Sequence, residues 1–127
     1  MKKIIMLMVF TCLSTKAFFP KQCANSDLRG DEVISWRFEN CVNDNFWQIE
    51  ARLGSLHRFD RCQAFPRSRV GFSYERCIND NFRKVEFAEP RVFIQHCHNF
   101  GARELSPRFL KCINRNFKDI EQFLRFR

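Results

Sequence analysis

The chain has no apolar run long enough to cross a membrane. The longest, Ile4 to Leu13, falls well short of the roughly 20 residues that a spanning helix needs. It also lacks any Asn followed two positions later by Ser or Thr, so N-glycosylation is not expected. No nucleophile elbow, phosphate-binding loop or zinc-ligand spacing occurs. The chain is accordingly read as non-enzymatic, with no cofactor and no metal. Lysine is scarce beyond the first 17 residues: 4 Lys stand there against 15 Arg.

The start of the chain reads as a signal peptide. Lys2 and Lys3 precede the apolar stretch, and Thr15-Lys16-Ala17 offers small residues for cleavage after Ala17. The expected division is a leader over 1–17 and one secreted, extracellular domain over 18–127. Cleavage removes Lys2, Lys3 and Lys16, taking basic residues from 22 to 19 against 14 acids. It also removes Cys12, leaving Cys23, Cys41, Cys62, Cys77, Cys97 and Cys112. An even cysteine count in a short exported chain points to a disulfide framework.

What is present is a threefold repeat. Phe38 to Glu50 around Cys41, Tyr74 to Glu86 around Cys77, and Phe109 to Glu121 around Cys112 share one pattern, spaced 36 and 35 residues apart. Such a period marks repeated supersecondary units that share a core. The units fall at about 18–53, 54–88 and 89–127. Within each, the aromatic three before Cys, the Val/Ile one after, the Phe five after and the Ile/Val eight after lie on one helical stripe. Ser35, Gly71 and Ser106 stand where N-caps belong, and Pro107 takes a favoured first-turn position. The predicted long helices are 36–53, 72–88 and 107–124. A shorter helix is expected before each, from Pro20 to Gly30, from Ser55 to Pro66 and from Pro90 to Gly101. The predicted fold is therefore all-α: three tandem, disulfide-stapled helical hairpins packed as one small domain.

The simplest pairing is Cys23–Cys41, Cys62–Cys77 and Cys97–Cys112, one staple per unit. The alternative joins Cys41–Cys62 and Cys77–Cys97 between units and leaves Cys23 with Cys112. The cysteine spacings fit neither insect odorant-binding proteins nor saposins.

Each Cys is followed at two and four positions by Asn: Asn43 and Asn45, Asn79 and Asn81, Asn114 and Asn116. Asn is a mediocre helix former, so its recurrence needs a cause. The favoured one is structural, with buried amides satisfying backbone groups; the rival is a ligand ladder. Asp44 and Asp80 between them do not make an EF-hand, because the loop glycine and later Glu are missing and Arg115 replaces Asp in the third unit. His96 and His98 flank Cys97, and on a helix they would face different ways, which suits zinc poorly. The many Phe residues are read mainly as core volume. Glu50, Glu86 and Glu121 are expected in surface ion pairs.

Six positions after each Cys, on the polar side, stand Trp47, Arg83 and Lys118. Trp36 lies on nearly the same bearing as Trp47. Exposed Trp is typical of interface hot spots. Trp36 and Trp47, extended by Arg83 and Lys118, are the candidate binding residues. The expected partner is a protein, acidic in character, rather than nucleic acid, because the basic residues are interspersed with acids. The sequence thus suggests a secreted effector or toxin acting on an extracellular or host protein. The alternatives are a membrane-active protein and a carrier of a small apolar ligand.

Overall fold

The structure, a computed structural model, describes residues 20–54, 58–101 and 103–126. The expected signal peptide lies outside them. Three helices form: α1 (Trp36–Leu53), α2 (Phe72–Ala88) and α3 (Pro107–Arg125), with no strand among the described residues. Their starts are those the sequence marks. The Ser35 hydroxyl accepts from the Phe38 amide, the Ser106 hydroxyl accepts from the Phe109 amide, and Gly71 takes the same place without a side-chain bond. Gly54 ends α1 at φ +98°, a conformation that other residues avoid.

The disulfides are Cys23–Cys41, Cys62–Cys77 and Cys97–Cys112. Each ties a helix to the segment before it within one unit.

Those segments correct the second half of the hairpin prediction. None of the described parts of 20–30, 58–66 or 90–101 is helical. Apart from turns and bends they carry no regular secondary structure, and buried residues two apart, Val92 with Ile94 and then Cys97 with Asn99, give the spacing of extended chain. Helix formation would use these backbone groups internally. Instead they are bonded to the asparagines of the long helices. Asn45, Asn81 and Asn116 each accept from and donate to the main chain of Lys21, Asp60 and Gln95 respectively, at 2.7–3.0 Å. These bonds lie within a unit.

The other three asparagines reach the next unit. Asn43 pairs with both main-chain groups of Cys62, and Asn79 with those of Cys97. Asn114 pairs with those of Cys23, accepting at 2.8 Å and donating at 2.9 Å. The third unit therefore clasps the first, and the repeat closes on itself. Each extended segment is wedged between two helices, its own and that of the preceding unit.

The core confirms the closure. Phe46, Phe82 and Phe117, equivalent in the three units, meet pairwise with centroids 4.9, 5.0 and 5.2 Å apart. They mark an approximate threefold axis. Around them pack the rest of the predicted stripe: Phe38, Val42 and Ile49, Tyr74, Ile78 and Val85, and Phe109, Ile113 and Ile120.

Tyr74 is the one stripe residue with a polar atom. Its hydroxyl is buried without a hydrogen-bond partner. Burial, and secondarily the charge of Glu39, push its pKa far above the usual phenol value. The equivalent residues Phe38 and Phe109 lack the hydroxyl. Tyr74→Phe should therefore leave stability unchanged or raise it by up to about 1–2 kcal/mol, read from a denaturant melt. A loss of stability would show that the hydroxyl has a role.

Candidate functional site

Threefold closure creates three equivalent grooves, each between one helix and the extended segment of the following unit. The first lies between α1 and the 58–61 region and is lined by Asn40, Asp44, Trp47, Glu50, Phe59, Asp60 and Arg61. The second lies between α2 and the 96–98 region, lined by Phe72, Glu75, Arg76, Asp80, Arg83, His96 and His98. The third lies between α3 and the 20–24 region; Lys21, Lys111, Arg115 and Lys118 stand in it.

Three of the candidate residues thus occupy the same place in three different grooves: Trp47 in the first, Arg83 in the second, Lys118 in the third. Trp36 lies elsewhere, in a hollow at the start of α1 with Asp27, Leu28, Arg29, Glu32, Arg37 and Arg67. Both tryptophans project into solvent, Trp36 being 59% and Trp47 69% exposed. They stand on one helix, about 16 Å apart along its axis at 1.5 Å per residue. Arg83 and Lys118 belong to the other two sides of the molecule.

The first groove is acidic and aromatic. Asp60 is held by Lys84 at 3.1 Å, and the Phe46 and Phe59 rings pack edge to face at 5.8 Å. In the second groove, the His96 and His98 rings lie side by side with centroids 4.3 Å apart, tilted by 56°. The segment is extended, so residues two apart share a side, contrary to the helical expectation. His98 Nδ1 lies 3.2 Å from Glu75 Oε1. Partial burial, then the charges of His98 and Arg83, lower the pKa of His96. Among the described residues no group of three or more potential metal ligands converges.

Three features escaped the sequence. Asn25 bridges Val33 O and Ser35 N, and Asn99 bridges Glu104 O and Ser106 N, pinning two of the N-cap loops. In the second unit Ala64 replaces this Asn, and the buried carboxylate of Glu39 accepts from Ala64 N at 2.8 Å and pairs with Arg67 at 3.3 Å. The third feature is the surface phenylalanines. Phe65, Phe72, Phe87, Phe93, Phe100 and Phe126 are all exposed, Phe65 almost completely at 98%. Core volume therefore accounts for fewer of the phenylalanines than the composition suggests. Of the repeated glutamates, Glu121 pairs with Arg125 at 2.8 Å.

Comparison with known protein families, with curated proteins and with solved structures found no match. The functional reading therefore rests on the geometry of this chain. No helix among the described residues is long and apolar enough to cross a membrane. The three intrachain disulfides are compatible with an oxidising, extracellular setting.

Proposed function

We propose that this chain is a secreted, non-enzymatic binding protein, an effector or toxin that engages an extracellular or host protein through the exposed side of α1. The observation that carries the reading is Trp47. It is solvent-exposed where its two equivalents are cations. The helix beneath it is anchored by a disulfide and by the amides of Asn43 and Asn45. A rigid support lowers the ordering cost of association. Trp36, on the same helix, extends the contact.

Trp47→Ala should fold normally, because an exposed side chain contributes little to stability. It should weaken partner binding by at least about 2 kcal/mol, roughly thirtyfold. Capture of the partner from extracellular fluid by the oxidised protein, followed by titration of both forms, checks this. Equal affinity of the two forms would remove α1 from the interface.

The exposed phenylalanines favour a second reading, membrane activity. Trp36 and Phe72 both open their helices. Phe65 and Phe100 stand in the loops leading to the N-caps. Rotation about the approximate threefold axis puts Trp36 level with Phe72, and Phe65 level with Phe100. Exposed aromatic residues of this kind suit a bilayer interface. Leakage of anionic vesicles, retained when Trp47 is replaced and lost when Phe65 and Phe72 are, would favour this reading over the first.

A further inference from the structure

The three grooves share one geometry but differ in charge at equivalent positions. One before the helix Cys, three after it and six after it, the first groove has Asn40, Asp44 and Trp47; the second has Arg76, Asp80 and Arg83; the third has Lys111, Arg115 and Lys118. Two positions before the first Cys of the following unit, the facing segment contributes Asp60 to the first groove and Lys21 to the third. The same frame thus carries an acidic groove, a mixed one and a strongly basic one.

The third groove is distinctive in three further ways. Three of the four lysines beyond residue 17 line it, in a chain that otherwise uses arginine. None of Lys21, Lys111, Arg115 and Lys118 has an ion-pair partner among the described residues. Of the two acids in the groove, Glu121 is engaged by Arg125, which leaves Asp119 as the opposing charge. The groove is also the largest of the three, about 990 Å³ against 240 and 380 Å³.

We infer that this groove binds a sulfated polysaccharide. Lys111, Arg115 and Lys118 lie at i, i+4 and i+7 on one face of α3, a row about 10 Å long at 1.5 Å per residue. Lys21 faces them from the opposite wall. Such a row matches a linear ligand that carries anionic groups at intervals, rather than one compact anion. The lysine ammonium groups are point charges that meet sulfate from many directions, and the Arg115 guanidinium can engage two oxygens of one such group. Gln22 and Gln122 add amides able to meet hydroxyl groups. Among the described residues the only aromatic lining the groove is Phe117, which is buried in the core, so none of them offers a platform for stacking nucleic-acid bases. The site is independent of the tryptophans of α1.

The pseudo-symmetry supplies a matched control. Lys111→Glu and Arg76→Glu make the same charge change at equivalent positions of different grooves. Binding of a heparin octasaccharide to the oxidised protein is measured by calorimetry at about 150 mM salt, where long-range attraction is screened. Lys111→Glu should weaken binding at least about tenfold and Arg76→Glu less than about twofold. Desulfated heparin should not bind. Equal losses in the two variants would show that net charge, not the groove, attracts the ligand. No binding by the unaltered protein, or equally tight binding of polyglutamate or of phosphatidylserine vesicles, would also overturn the assignment. Circular dichroism of both variants checks that each is folded.

Discussion

Reduction of the three disulfides should unfold the protein at physiological temperature. Each closes a loop with a sequence separation of 18, 15 or 15, and a loop of that size contributes about 3 kcal/mol through the chain entropy of the unfolded state. Together they supply on the order of 9 kcal/mol. A small domain has only about 5–15 kcal/mol of net stability in all. The bonds also hold segments that form neither helix nor sheet of their own among the described residues. Far-ultraviolet circular dichroism with and without a reductant reads the effect. A reduced protein that still melts cooperatively above about 50 °C, in the usual range of mesophilic domains, would show that the Phe core and the asparagines suffice.

Asn114→Leu should produce the next largest loss. Its amide satisfies both the N–H and the C=O of Cys23, across 91 positions of sequence. Cys23 is buried, so leucine would strand a donor and an acceptor at about 1–3 kcal/mol each. A fall in Tm of more than about 10 °C is expected for a total of a few kcal/mol in a domain this size. Asn81→Leu, which strands the Asp60 main chain, should cost less, about 1–3 kcal/mol, because Asp60 is exposed to water. An unchanged Tm for Asn114→Leu would mean that the first and third units are not held together by this contact.

Much of the molecule is legible in the sequence because the repeat states it three times. Helix starts at Trp36, Phe72 and Pro107 follow from the caps, and the buried stripe follows from periodicity. The structural role of the asparagines and the disulfide pairing also emerge correctly. The segments before the helices do not. Proline and glycine at their ends resemble helix punctuation, and the spacing of two from Val92 to Ile94 and again from Cys97 to Asn99 is the signal for extended chain. What makes extension stable is remote: amides on two different helices supply the bonds that a β-ladder would. Periodicity likewise cannot report closure. The long-range pairing of Asn114 with Cys23 and the contact of Phe46 with Phe117 distinguish a circle from an open stack, and nothing near these residues in sequence encodes either. The candidate site was partly legible. Trp36 and Trp47 are exposed as expected, but their separation from Arg83 and Lys118 follows from the closure that the sequence conceals. The basic character of the third groove was equally hidden, because Lys21 lies far from α3 in sequence.

Closure also governs how such a protein can change over time. An open stack of repeats grows or shrinks by a unit, since each contacts only its neighbours. Here a fourth unit would widen the axis beyond the reach of the three phenylalanines and turn every asparagine away from the segment it holds. Deleting one unit would leave the remaining two unable to span the gap. The number of repeats is thereby frozen. Diversification is confined to the lining of three pre-formed grooves, where substitutions such as Trp for a cation alter what is recognised without disturbing the frame.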